Sequence, residues 1–505
     1  MRVPLAQYPG MNKFVLDWLG GDSRFLPRTS SWSDARFDGR PAERNNADRA
    51  TLAAALDRSN RHWGIFVKEQ LQRWAAGETF TVIAGQQVGF AGGPLYTLAK
   101  LATLVKMKRE LEALGTPVTA FFWLATEDHD FDEVATLNVP SRRANPNAQL
   151  DLLRIRAVRG AESRTVVGSL AVPESLIAQL LAAYDMPRPA WLREGITFRD
   201  SFAELIAATF GSEVILVDAL LPELRRAGAP LFEQIHAKHD EIQRALHERA
   251  TALESAGYKE QVIARDGAEY TLLFALDDED RRQPSRDTAQ PAEKTSTSAL
   301  TRPLLQDFVI QPDVFVGGPA EVAYYAQIAP LHELLGVALP RVALRGHTLV
   351  APKRLAKAMQ RYAIEPHEVF ASPDQILAER EPEGVARIRA IAEEGKRELL
   401  QRIEAIGELA LPADHSLAGS INRSIGHLEF HFNKLSERAV KGLVRKDRER
   451  YTATRELVAA LYPDRHVQER VVSWFAYWCD HGEHLVERLV DEVEPDSAFF
   501  RIVTL

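Results

Sequence analysis

The densest pattern in this chain runs from Thr79 to Leu124. Residues 79–84 are apolar or β-branched without a break and end at glycine, the signature of a strand covered on both faces. Gly85, Gly89, Gly92 and Gly93 follow within nine residues. Pro94 then opens a segment in which Leu95, Leu98, Leu101, Ala102 and Val105 recur at helical spacing. Lys106, Lys108, Arg109 and Glu110 are assigned to its wet side. Gly115 ends the helix, and residues 118–125 form a second apolar run. Strand, glycine loop, helix and strand make a right-handed crossover between parallel strands. Such a unit brings the helix N-terminus and the end of the second strand to one sheet edge. Open α/β sheets bind ligands at that edge.

The alternation continues. Helical spacing is read at 173–184 and 198–210, and Glu213–Asp218 reads as a buried strand. Asp313-Val314-Phe315-Val316 leads into a second Gly317-Gly318-Pro319 and a helical segment to residue 335, and 339–345 is strand-like. Residues 150–155 and 165–172 read as strands of a small insertion, 141–172, while 33–46 reads as an irregular leader and 277–298 as a polar surface loop. Three stretches then follow coiled-coil steps. One holds Ile235, His239, Ile242, Leu246 and Leu253; one holds Val385, Ile388, Ala392, Gly395 and Leu399; the last, beyond Pro412, holds Ile421, Ile425, Leu428, Phe432, Leu435 and Ala439. The expected organisation is an α/β parallel-sheet core with insertions plus an antiparallel helical coiled coil. The core takes 1–228 and 259–378, the coil takes 379–455 with 229–258 as a third member, and 456–505 is helical with a final strand.

Composition narrows the class. At 505 residues the chain exceeds a single core. A net charge of −8 gives no pointer to nucleic acid. The single cysteine, Cys479, excludes internal disulfides and cysteine-based metal clusters and fits a reducing compartment. No apolar run approaches the roughly 18 residues of a membrane span. Cytoplasm is the expected location, with neither nucleic acid nor membrane as a partner.

The candidate chemistry gathers at the expected edge. Beyond the second strand lie Glu127, Asp128, His129, Asp130, Asp132 and Glu133. His129 suits proton transfer near neutral pH, with Asp128 and Glu127 beside it as catalytic candidates. Asp130 and Glu133 could hold an ammonium group. In the first loop Gly85, Gln86 and Gln87 offer amides to a polar ligand, while Gly93 and Pro94 expose a helix N-terminus to an anion. In the second loop Gly317 and Gly318 do the same, and Glu321, Tyr324 and Gln327 share one helix face. Arg302 and Arg345 are candidates for a carboxylate or phosphate, with a surface ion pair the favoured reading of Arg345. No metal site is assigned. The loop matches neither the phosphate-binding Walker pattern nor the dinucleotide fingerprint, so NAD is not expected.

Taken together, Gly85-Gln86-Gln87, Gly93-Pro94-Leu95-Tyr96-Thr97, the run from Glu127 to Glu133, Arg302-Pro303 and Gly317 to Tyr324 resemble the BshC family, the cysteine-adding enzymes of bacillithiol biosynthesis. The resemblance implies a Rossmann-like core related to class I aminoacyl-tRNA synthetases and a coiled-coil domain that supports a homodimer. It also adds Tyr96 to the binding residues. The implied reaction joins the carboxyl of cysteine to the amino group of glucosaminyl-malate, with ATP and Mg²⁺ as the implied activating pair. The HIGH motif of the synthetases does not occur in this chain. The residues alone also fit a synthetase-like enzyme for another amino acid or small acid, or a coiled-coil scaffold without catalysis.

Overall fold

The computed structural model describes residues 1–28, 46–140, 152–157, 164–262, 272–285 and 289–505. Most of the expected leader, all of the loop at 141–149 and part of the loop at 277–298 lie outside these residues. The chain divides into two compact units, 1–350 with 466–505, and 351–465.

The first unit is built on five parallel strands: β1 (Phe80–Gln86), β2 (Val118–Leu124), β3 (Ile215–Asp218), β4 (Val314–Gly317) and β5 (Arg341–Leu344). Their spatial order is β3-β2-β1-β4-β5. The chain therefore moves outward one way from β1, returns, and moves outward the other way from β4. Between β1 and β4, two successive crossovers leave on opposite sides of the sheet and a crevice opens beyond the strand ends. Register places Gly85 opposite Trp123 and Val82 opposite Val314. Both glycine loops thus leave adjacent strands at the same edge.

Helix α1 (Leu95–Ala113) makes the crossover from β1 to β2. It is not amphipathic. Lys100 and Lys108 are buried along with its apolar residues, because segments from the end of the chain pack over the side expected to be wet. Lys108 meets this burial by pairing with Glu213 at 2.9 Å, and Arg109 pairs with Glu213 and Glu487.

Three further sequence expectations change in this unit. Residues 231–257 are not one coiled-coil helix. The chain is interrupted at Lys238, and helix α2 (His239–Ser255) buries Ile242, Leu246 and Leu253 within the first unit. Helix α3 (Arg302–Ile310) precedes β4, and helix α4 (Pro319–Leu334) follows it. It is α4 that packs against α2, so the seam is real and its partner is the core. Residues 165–172 are not a strand either. They hold a short helical turn at Val167–Ser169 with isolated bridges at Thr165 and Ala171. The insertion instead keeps one hairpin, Thr136–Pro140 against Leu152–Arg156. The expected loop at 277–298 contributes Arg282–Pro284 and Thr295–Thr297 to a small antiparallel sheet around Leu273–Leu276.

The second unit contains the antiparallel pair α5 (Pro382–Ala410) and α6 (Ala418–Val444). Gly395 faces the Phe432 ring, where an added Cβ would lie 3.0 Å away, so glycine lets the helices approach. The unit spans 351–465, wider than the expected 379–455.

Candidate active site

The crevice between β1 and β4 holds a cavity of about 350 Å³. Its floor begins at Gly85. A Cβ there would lie 2.9 Å from Cβ of Trp123, so the close pairing of β1 and β2 requires glycine. From α1 the Lys100 ammonium, 3% exposed, makes a 2.6 Å ion pair with Oε2 of Glu321. It also donates to the Gly85 carbonyl at 2.7 Å and to Oε1 of Gln86 at 3.0 Å. Glu321 Oε2 accepts the Gly318 N–H at 2.8 Å, capping α4. One buried cation therefore ties the end of β1 to the start of α4, the two elements that frame the crevice. Burial lowers the Lys100 pKa, and Glu321 opposes that shift.

Tyr96 stands one turn before Lys100. Its hydroxyl accepts from Gln86 Nε2 at 3.1 Å. Its ring lies 5.6 Å from the Arg345 guanidinium and 5.9 Å from that of Arg470, within cation–π range. Burial pushes the Tyr96 pKa up to about 12, so the phenol stays protonated. Arg345 is buried and held by both oxygens of Glu469 at 2.9 and 2.7 Å.

The opposite wall is acidic. Asp128 Oδ2 accepts from Gln87 Nε2 at 2.8 Å, and Oδ1 accepts the His129 N–H at 2.7 Å. Burial would raise the Asp128 pKa, but Arg302 and these hydrogen bonds outweigh it, so Asp128 is anionic. Glu133 behaves differently. The residue is partly open to solvent, yet partial burial of its carboxyl in the crevice, and then the Asp130 and Asp128 charges, raise its pKa above the ordinary glutamate value despite a hydrogen bond from Gln87. Lys100, Arg302, Arg345 and Arg470 thus face Asp128, Glu133 and Glu321 across one cavity. Such a lining suits a ligand that carries both an ammonium and carboxylates.

Comparison with known proteins matches this architecture. Residues 1–290 and 283–346 match the family model described as the bacillithiol biosynthesis BshC N-terminal Rossmann-like domain. Residues 348–505 match the BshC C-terminal coiled-coil domain. The chain belongs to the BshC family. Relatives named "Putative cysteine ligase BshC" include one from Koribacter versatilis, 30% identical with 97% of each chain covered. Another, from Solibacter usitatus, is 28% identical over 90% of each. A third, from Bacillus cereus, is 27% identical over 82% of each.

The cavity gathers Gly85, Gln86, Gln87, Tyr96, Asp128, Glu133, Arg302, Gly318, Glu321 and Tyr324 from the sequence-derived set. Gly93 and Pro94 line a second, adjoining cavity instead. Five others stand outside both linings. Glu127 is 2% exposed and saturated. Its carboxylate pairs with Arg225 at 3.2 Å and accepts from Ser296, from the Thr297 N–H and from the Thr297 hydroxyl. Burial would raise its pKa; Arg225, Arg282 and the two hydroxyls hold it below the ordinary value. Glu127 fastens the small antiparallel sheet to the end of β2 and has no capacity left for a substrate. The His129 ring is turned toward Arg282, 3.2 Å from Nδ1, and partial burial and then Arg282 lower its pKa. Asp130 caps the short helix Phe131–Val134 by accepting the Glu133 N–H at 3.0 Å, and so positions Glu133. Gln327 is buried and clamps Val262 through both backbone groups. Gly317 is required by packing, since a Cβ would lie 2.7 Å from the Phe315 ring.

The N-terminus of α1 is also corrected as an anion site. Its Leu95 N–H donates to the Val472 carbonyl at 2.8 Å. The Trp474 indole donates to the Gly92 carbonyl at 2.9 Å. A segment from the far end of the chain thus occupies the Leu95 N–H and the Gly92 carbonyl, while Gly93 and Pro94 still line the adjoining cavity. Sequence reasoning missed Lys100 and Arg470 as members of the wall, and its favoured surface ion pair for Arg345 is instead a buried pair with Glu469 beside the cavity. Lys100 carried a usable signal, a cation on the apolar stripe one turn beyond Tyr96. Arg345 also carried one, since it ends a strand at the ligand edge. Arg470 carried none, because only the tertiary fold brings it there.

Proposed function

We propose that this chain is a carbon–nitrogen ligase that joins the carboxyl of cysteine to the amino group of glucosaminyl-malate in bacillithiol biosynthesis. The observation that carries this reading is the mixed-charge crevice between β1 and β4. Its family and the names of its relatives point to the same chemistry.

Amide formation needs an unprotonated amine and an activated carboxyl. Asp128 is held anionic and fits the incoming ammonium. Glu133, with its raised pKa, fits the role of accepting the proton that the amine must lose. Arg302 and Arg470 fit carboxylate or phosphate oxygens as bidentate donors. Lys100, Gln86 and Tyr96 act by holding the two loops in register. His129 and Glu127 have no part in this mechanism.

ATP with Mg²⁺ is the proposed source of activation. The lining fits the negative charge of a nucleotide through Arg302, whereas the first N–H of α1 is taken by the Val472 carbonyl and the N-terminus of α4 is capped by Glu321. Among the described residues no group of three or more His, Cys, Asp or Glu side chains could hold a metal. Magnesium would be carried by phosphate oxygens and water with one or two carboxylates, as this ion commonly is. When bound, the nucleotide supplies the leaving group on the carboxyl.

The homodimer belongs to the same proposal. Ile391, Ile406, Leu409, Phe430 and Leu435 are exposed on α5 and α6, with Leu409 84% exposed. A second copy would cover such a face. No described helix is long and apolar enough to cross a membrane, and the proposed setting is the cytoplasm.

The test incubates the protein with cysteine, glucosaminyl-malate and ATP–Mg²⁺, following products by mass spectrometry and nucleotides by chromatography. The expected result is a cysteinyl conjugate formed one-for-one with AMP or ADP. Product without nucleotide turnover removes ATP from the account. Product with another amino acid but not with cysteine moves the substrate. Absence of any conjugate leaves the scaffold reading.

A further inference from the structure

The cavity that Gly93 and Pro94 face has a volume of about 560 Å³. Its roof is the hairpin Thr136–Pro140 with Leu152–Arg156, in which Thr136 pairs with Arg156 and Asn138 with Arg154. Side chains alternate along a strand, so these four residues share one face. All four line the cavity, which Leu137 also touches, while Leu137, Val139 and Ile155 of the other face are buried. The hairpin is thus anchored by its apolar face and presents two guanidiniums and an amide to the cavity.

A third guanidinium arrives from the far end of the chain. Arg470 lines this cavity as well as the first. Among the described residues none of Arg154, Arg156 and Arg470 has an ion-pair partner. Three like charges converging on one concavity repel one another unless an anion sits among them. The carboxylates in this lining are Asp132 and Glu133, and Glu133 has its pKa raised.

The two cavities share one wall made of Gln86, Gln87, Tyr96, Glu133 and Arg470. We propose that the second cavity is the subsite for the dicarboxylate portion of the amine substrate, held by Arg154, Arg156 and Arg470. Guanidinium forks match carboxylates in bidentate geometry, and a dicarboxylate offers two of them. The amino group of the same molecule then reaches the shared wall at Glu133, and the carboxyl partner occupies the first cavity. This rests on the ligase reading for the identity of the substrate. The arginine arrangement itself requires only a small molecule bearing two carboxylates.

Calorimetry on the full chain separates the two claims. Glucosaminyl-malate, L-malate, glucosamine and cysteine are titrated into the wild type and into Arg154→Ala/Arg156→Ala, whose substituted residues are exposed. Circular dichroism checks the fold. The wild type is expected to bind glucosaminyl-malate at least tenfold more tightly than glucosamine. The double variant is expected to lose at least tenfold for glucosaminyl-malate and L-malate, with cysteine binding unchanged. Unaltered affinity for glucosaminyl-malate in the variant, or equal loss for cysteine, overturns the subsite. Arginine-dependent dicarboxylate binding without ligation keeps the subsite and removes the ligase reading. Ligation with an unchanged KM for glucosaminyl-malate in the variant does the reverse.

Discussion

Three carboxylates within seven residues illustrate how environment divides labour. Glu127 is locked under Arg225 and the hydroxyls of residues 296 and 297, Asp128 is anionic in the crevice, and Glu133 is held toward its neutral form. Glu127→Gln should therefore act on stability. It leaves the buried Arg225 unpaired, at a cost of about 3–5 kcal/mol in chemical denaturation, with activity per folded molecule retained. Glu133→Gln should act on rate, lowering kcat about 100-fold or more if Glu133 accepts the amine proton. The sign of its stability effect also follows. A carboxyl whose folded pKa is raised contributes stability below its unfolded value, and that contribution is lost as pH rises through the folded value. Replacing Glu133 by glutamine should leave the melting temperature at pH 7 equal or higher. The acid limb of kcat/KM should have a midpoint above the ordinary glutamate value of about 4.3 and should flatten in the variant. The acidic run itself was legible in the sequence. Which member faces the crevice was not, because the selection is made by Arg225, Arg282 and the small sheet at 273–297, all distant in the chain.

At the scale of elements, the strand, glycine loop, helix and strand were readable because hydrophobic periodicity and turn chemistry are local. What surrounds α1 was not. The apolar stripe predicted one buried side, and the C-terminal segments bury the others. That placement makes two substitutions informative. Gly92 has φ +82°, and a Cβ there would lie 2.4 Å from the Trp474 ring. Gly92→Ala should cost more than the ~1 kcal/mol of the backbone effect alone, measured by denaturation, and should free the segment that covers the start of α1. Lys100→Met removes the ammonium shared by Gly85, Gln86 and Glu321. Loss of these charged hydrogen bonds should cost about 1.5–3 kcal/mol. Steady-state kinetics should show raised KM values for both substrates, since the variant loosens the two loops together.

For the whole molecule, the sequence revealed coiled-coil periodicity at 385–399 and 421–439 because the heptad signal needs no distant partner to be seen. The same signal at 235–253 was genuine but ambiguous. A helix stripe reports that something covers it and not what does, and here α4 of the core covers it. The exposed apolar residues of α5 and α6 extend this reasoning to association. Ile406→Glu with Leu435→Glu should shift the chain from dimer to monomer in sedimentation velocity while each protomer keeps its helical content. A wild type that sediments as a monomer across the micromolar range would remove the dimer.

The proposed chemistry takes place where the sheet order reverses, between β1 and β4. A crystal soaked with glucosaminyl-malate tests it most directly. Density is expected in the paired cavities, with carboxylates at Arg154, Arg156 and Arg470 and the amino group within hydrogen-bonding distance of Glu133. Density at His129 and Arg282, or along the helices of the second unit with the crevice empty, would contradict it.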